Sequence, residues 1–185
     1  MYTVFTPPAD TPVSLADAKA HLRVDHDDED SLIALMLGGA IDFIENYIGM
    51  SLITQTIEEK FDYSGRDYRL SRHRATEVVS FYFVGPDSKA FNEMYDIDNL
   101  LISSGEGSAL ILLDDPPPVN YKVIDKVRIR YKSGFGDTPA DVPASIRMAI
   151  LIQLGSMYEN REIKVRRYNS AINDLLREYK YRGNA

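Results

Sequence analysis

The sequence contains no cysteine. Disulfides, thiolate metal sites and cysteine nucleophiles are thereby excluded, and the absence fits a reducing compartment. Histidine is scarce, with only His21, His26 and His73. His21 and His26 are five residues apart, off the i, i+4 spacing that sets two imidazoles on one helix face. A zinc centre needs three or four ligands, so only a construction from these two and nearby aspartates is conceivable, and no metal is expected. The sequence has no G-x-S-x-G nucleophile turn and no G-x-x-x-x-G-K-[ST] phosphate loop, and Gly134-Phe135-Gly136 lacks the third glycine of a dinucleotide motif. Carboxylates are plentiful. Acid–base chemistry needs two of them held in one cleft with divergent pKa values, and solvation and helix capping account for them more simply. No catalytic residue and no cofactor is expected. The opening MYTVFTPPADTP has neither the basic start nor the apolar run of a leader peptide. Met148–Leu154, read as the longest apolar-rich stretch, is broken by Gln153 and too short to span a bilayer, so no membrane contact is expected.

What is present is ordinary globular composition. The 185 residues are 44% hydrophobic and 26% charged, enough for one domain or one domain with an insertion, with no need of a covalent staple. The net charge of −7 argues against a general nucleic-acid binder. The charge is uneven. Residues 1–60 carry eleven acids against Lys19, Arg23 and Lys60, whereas residues 161–185 carry seven bases against Glu162, Asp174 and Glu178. Opposite ends of this kind can set head-to-tail register between identical subunits, although two solvated faces would look the same in sequence. The basic stretch Arg161, Lys164, Arg166, Arg167 with Tyr168 could touch DNA phosphates, but pairing with acids on a neighbouring chain suits the acidic remainder better.

Periodicity predicts two helices, a block of five to seven strands, and two more helices. Pro7, Pro8 and Pro12 mark an extended arm. A short helix over 14–23 follows, capped by Ser14 and stapled by Val13 against Ala18. The acidic run Asp25–Asp30 fits neither the glycine nor the distal glutamate of an EF-hand, and is expected to cap the next helix. That helix, over 29–48, has the stripe Ile33, Met36, Leu37, Ala40, Ile41, Ile44 and Ile48, with Gly49 at its C-terminal cap. Gly38 and Gly39 in its middle read as a tight helix contact, since each costs about 1 kcal/mol relative to alanine. Phe43 and Tyr47 lie off the stripe. From residue 51 the period changes to two, with strands expected over 52–61, 67–70, 77–84, 96–102, 109–113 and 126–131, and a turn-like link at 103–107. Helices over 144–159, opened by Pro143, and over 170–181 close the chain. The expected fold class is α+β: a small helical bundle with an inserted antiparallel β domain. The divisions are 1–50, 51–133 and 134–185.

Two blocks of this sequence resemble a known family. PVSLADAKAHLRVDHDDEDSLIALMLGGAIDFIENYIGMSLITQT is similar to the opening of phage head–tail connector proteins, also called adaptor or head-completion proteins. The carriers are Leu15 to Leu22, the acidic turn Asp25 to Asp30, and Tyr47, Gly49, Leu52, Gln55 and Thr56. VRIRYKSGFGDTPADVPASIRMAILIQLGSMYENRE resembles the family's later strand, Ser133-Gly134-Phe135 loop, Val142-Pro143 helix start and Tyr158-Glu159-Asn160-Arg161-Glu162 close. The stretch 63–124 carries no family motif and is similar to the subgroup with a β insert.

The resemblance implies a non-enzymatic subunit of a ring, typically of twelve copies, beneath the portal at the neck of a virion, assembled in the host cytoplasm. Its partners would be copies of itself, the portal protein and the next neck or tail-completion protein, with double-stranded DNA passing through the channel without sequence-specific binding. Portal contacts would then fall on Arg166, Arg167, Tyr168, Leu175, Leu176 and Tyr179. Lateral contacts between subunits are expected at Phe43, Tyr47, Asp27, Asp28 and Arg161. The competing expectations are a small DNA-packaging accessory or DNA-binding protein, and a hydrolase with a site in the β insert.

Overall fold

A computed structural model describes residues 2–84, 93–94, 100–105, 108–113, 126–159 and 170–180. The described elements in chain order are β1 (Tyr2–Thr6), α1 (Leu15–Leu22), α2 (Asp30–Ile48), β2 (Gln55–Asp62), β3 (Asp67–Arg69), β4 (Ala75–Val84), β5 (Glu93–Met94), β6 (Leu100–Gly105), β7 (Ser108–Leu113), β8 (Lys126–Ser133), α3 (Ala144–Glu159) and α4 (Ser170–Leu176). The architecture is α+β, a helical bundle carrying an inserted antiparallel β domain, as expected.

The helices form where the periodicity placed them, and their termini show why. The Asp17 N–H donates to Ser14 Oγ at 3.1 Å, while Ser14 Oγ donates back to the Asp17 carboxylate at 2.7 Å. Arg23 closes α1 in the left-handed conformation. Ser14→Ala is expected to cost about 1 kcal/mol, as loss of an N-cap usually does, read from a urea unfolding curve. Val13 and Ala18 are both buried, which is the staple the sequence predicts. Gly49 caps α2 at φ 70°, its N–H returning to the Glu45 carbonyl.

The acidic turn departs from expectation. No side chain caps α2, and only Asp30 lies in its first turn. Asp27 and Asp30 instead grip Lys19 Nζ of α1, each at 2.6 Å. The ammonium is a stronger partner for these carboxylates than a helix N–H, so they tie α1 to α2.

Ile33, Leu37, Ala40, Ile44 and Ile48 of α2 pack with Ile146, Ala149, Ile150 and Leu154 of α3, closed by Ile172 and Leu176 of α4. Each leucine and isoleucine among them contributes about 1.5–3 kcal/mol on burial, so this seam is what holds distant ends of the chain together. The glycine pair divides. A Cβ on Gly39 would sit 3.3 Å from Met157 of α3, which fits a close helix contact, whereas one on Gly38 would meet nothing within 4 Å. The reading of membrane-spanning potential also needs correction. Met148–Leu154 is not the longest apolar stretch, because α2 itself is long and apolar enough by length and composition to cross a membrane. Here its principal face lies in the bundle core.

The β domain holds two sheets, of order β1-β2-β8-β4-β5 and β3-β7-β6. Residues 2–6 of the expected arm pair with β2 as an edge strand. Tyr131 stands opposite Ile57 and Ile129 opposite Glu59 across the β2–β8 ladder. Inward residues Ile57, Phe81, Ile129 and Tyr131 meet Tyr68 and Ile111 of the second sheet in a separate apolar cluster. Outward positions alternate as Lys126, Arg128, Arg130 and Lys132. Several element boundaries shift. β2 starts at Gln55 because Leu52 and Ile53 are drawn into the bundle core. The expected turn at 103–107 is shorter, since Ser103 to Gly105 pair with Leu110 to Ser108 in a β6–β7 hairpin. α4 ends at Leu176, and residues 177–180 form a turn.

Candidate docking surfaces

Three arrangements of side chains could carry function: the junction of bundle and β domain, the C-terminal contact of α4, and the outward faces of α2 and β8.

The junction is built on Arg72, 5% exposed, in the turn between β3 and β4. Its guanidinium donates to the carbonyls of Glu45 at 2.8 Å and Met50 at 3.4 Å, at the C-terminal end of α2. It also donates to Tyr2 Oη at 2.5 Å and Asn46 Oδ1 at 3.3 Å, and lies 3.6 Å from the Glu45 carboxylate. A cation at a helix C-terminus is favoured by the macrodipole, so this arginine satisfies orphan carbonyls and charge together. Burial raises the Glu45 pKa, while the Leu52 N–H and Arg72 pull it down.

Below it lies Glu59, 1% exposed, at an inward strand position where an apolar residue would normally stand. It accepts from the Ser71 N–H at 2.9 Å, from Ser71 Oγ at 2.8 Å, and from Tyr131 Oη. Burial, then the Glu59 charge, pushes the Tyr131 phenol upward, so it stays a proton donor. This network was not read from the sequence. The signal was available, because Ile57-x-Glu59-x-Phe61 places a carboxylate in the inward period of β2.

His73 sits in the same turn. Its N–H donates to the Gly49 carbonyl at 3.0 Å, and its ring lies against Gly49, where a Cβ would fall 2.8 Å from Cδ2. Burial, then the charges of Arg72 and Arg69, holds its imidazole below the usual 6.5. The folded state thus prefers neutral His73. The stability this contributes is present above pH 6.5 and is lost as pH falls from there through the lowered folded value. His73→Gln is expected to flatten the fall of unfolding free energy in that window, measured by urea melts at half-unit pH steps. A slope unchanged from wild type would assign the pH dependence to other groups.

Of the residues expected at the portal, Arg166, Arg167 and Tyr168 lie outside the described residues, as does Arg161. Leu176 is buried in the bundle, Leu175 is half-buried, and Tyr179 meets Phe135 edge-on at 6.1 Å. Among the lateral candidates, Tyr47 Oη donates to Asn173 Oδ1 and accepts from Lys180 Nζ at 3.2 Å, so it pins α4 to α2. Phe43, 38% exposed, stacks on Tyr47 at 6.2 Å. Asp27 is exposed beyond its bond to Lys19, and Asp28 is almost fully exposed, 3.9 Å from His26. Among the described residues no group of three or more His, Asp or Glu is placed to hold a metal ion.

On the outward sheet face, Glu58 serves two guanidiniums, Arg130 at 2.7 Å and Arg128 at 3.9 Å, and Lys132 meets Glu77 at 2.8 Å. Arg130 also lies 3.7 Å above the exposed Phe5 ring.

This α+β chain, whose described buried polar networks tie its own parts together, exposes large apolar side chains on α2 (Leu32, Leu35, Phe43), β1 (Val4, Phe5), β4 (Val79) and α3 (Met148), as proteins with interaction surfaces do. Residues 12–94 match the phage gp6-like head–tail connector proteins. No curated protein matches it in sequence. Its fold is shared end to end with solved components of a gene transfer agent. One is from the virion of the native particle, at 17% identity and a TM-score of 0.83, covering 100% of this chain and 97% of that one. Others come from the neck of the empty particle, computed with C6 symmetry, and the neck of the native particle, computed with C12 symmetry. Their TM-scores are 0.84 and 0.81, with the same identity and coverage.

Proposed function

We propose that this chain is a non-enzymatic subunit of a closed ring, twelve copies around, at the neck of a tailed phage or phage-like particle. The observation that carries this reading is the pairing of the connector match over residues 12–94 with full-length likeness to neck components of C6 and C12 symmetry. A ring needs two different lateral surfaces on each copy, because a heterologous contact is what a rotation closes. The chain's uneven charge provides such a difference.

In this role the ring extends the channel of the portal protein and offers a platform to the next neck or tail-completion protein. An acidic chain lets double-stranded DNA slide past, since few phosphates are neutralised. The portal contact is assigned to the C-terminal part, with Leu175 half-buried on α4, Tyr179 in the turn after it, Leu176 as the anchor in the bundle, and Arg166, Arg167 and Tyr168 preceding it in sequence. Lateral contacts are assigned to α2 through Phe43 and Tyr47, to the acidic turn through Asp27 and Asp28, and to Arg161.

The test is electron cryomicroscopy of capsids from the parent particle made without this chain, imaged before and after it is added back. The expected result is a new ring of this fold directly under the portal vertex. Capsids that bind the chain elsewhere, or not at all, would overturn the reading.

A further inference from the structure

Resting on that ring, we infer which two faces of the chain meet: the outward face of α2 in one copy seats on the outward face of the β1-β2-β8-β4 sheet in the next.

The α2 face is apolar beyond what its own fold uses. Leu35 is 75% exposed, and Leu32 and Phe43, at 36% and 38%, flank it at helical spacing. Gly38 lies on the same side, and a Cβ there would meet nothing within 4 Å. A solvent-facing glycine in the middle of a helix weakens it for no gain within the chain. Removal of that side chain makes sense when another surface comes close. α2 carries no lysine or arginine from Asp30 to Ile48, and with Asp30 taken up by Lys19 and Glu45 by Arg72, Asp42 is the acid it keeps on this face.

A partner for such a face must offer apolar side chains together with a basic group for Asp42. The same chain carries one. Phe5 and Val79, 53% and 40% exposed, stand on either side of β8, whose outward residues are Lys126, Arg128, Arg130 and Lys132. Among the described residues Glu58 answers both arginines and Glu77 answers Lys132, so the bases of that column outnumber the acids paired with them. Acidic helix and basic sheet are different surfaces of one molecule, so the contact is heterologous and can close a ring. Against Val79, Leu35 would find the apolar cover it lacks, and Gly38 would let the sheet approach.

The absence of cysteine makes the test direct. The Leu35→Cys/Val79→Cys double variant, oxidised after assembly on capsids of the parent particle lacking this chain, is expected to give covalent oligomers up to the full ring on a non-reducing gel. Leu35→Asp is expected to reduce ring assembly at least tenfold while its own melting temperature stays at the wild-type value, because Leu35 makes little contact at home. Gly38→Gln is expected to melt higher than wild type and still fail to assemble, a divergence that a purely structural glycine would not produce. Rings of Leu35→Asp as abundant as wild type, or rings of the double variant that yield no covalent oligomer, would overturn this pairing of faces and leave the ring itself standing. If wild type forms no ring on the capsids, the proposed function falls first.

Discussion

Arg72→Ala is expected to destabilise the protein by about 3–5 kcal/mol, the range seen when one member of a buried ion pair is removed. The guanidinium is 5% exposed and is shared among the Glu45 and Met50 carbonyls, Tyr2, Asn46 and the Glu45 carboxylate. Its removal strands carbonyls at the end of α2, which water cannot fully reach, and leaves Glu45 without its counter-charge. At roughly 2–4 °C per kcal/mol for a chain of this size, the melting temperature should drop by about 10 °C. The pH dependence separates this from simple loss of packing. Burial already favours protonated Glu45. In the variant, stability should recover part of its loss as the pH is lowered through the Glu45 titration, whereas a cavity alone would show no such recovery. Calorimetry at neutral and mildly acidic pH makes the measurement.

Gly134→Ala is the second change of large expected effect, at about 3 kcal/mol. A Cβ at this position would lie 2.5 Å from the Thr54 nitrogen, 2.6 Å from its Cα and 2.8 Å from the Ile53 carbonyl carbon. These are backbone atoms and cannot rotate aside. The two segments are fastened on both sides of the clash, with the Thr54 N–H to the Gly136 carbonyl at 2.8 Å and the Phe135 N–H to the Leu52 carbonyl at 3.0 Å. The chain must therefore give up those bonds or move the start of the loop that leads to α3. Gly38→Ala is the natural control. It lies in a helix with open space around it and should instead stabilise by about 1 kcal/mol. Paired urea unfolding curves with equal slopes would show both effects as changes in stability alone.

The helices were legible because each has both a stripe and terminal signals. Ser14, Gly49 and Pro143 are all placed as a sequence reader would place them, and α3 keeps its expected limits of 144 and 159. β1 was hidden by Pro7 and Pro8, which make the whole N-terminus look like an unpaired arm, although Tyr2 to Thr6 has the composition of a strand. The acidic turn was misread because a carboxylate near a helix start suits a cap, and nothing local announces that Lys19, eight residues before Asp27, will claim it. The junction is the deepest miss. Arg72 and Glu59 are charged residues in segments otherwise read as polar, and only tertiary contacts between the α2 end and two strands make them internal. The exposure of Leu35 is a similar case, since periodicity marks an apolar residue but not which apolar residues the fold leaves uncovered.

The bundle is assembled from opposite ends of the chain, with α1 and α2 before the β domain and α3 and α4 after it. During synthesis the apolar seam of α2 therefore emerges long before Ile146, Ala149 and Ile150 exist to cover it. For that interval the nascent protein is a sticky intermediate, dependent on chaperones and intolerant of premature termination. A message truncated anywhere ahead of α3 would yield not a smaller working part but an aggregating fragment. Only complete copies would then be competent to enter a symmetrical assembly.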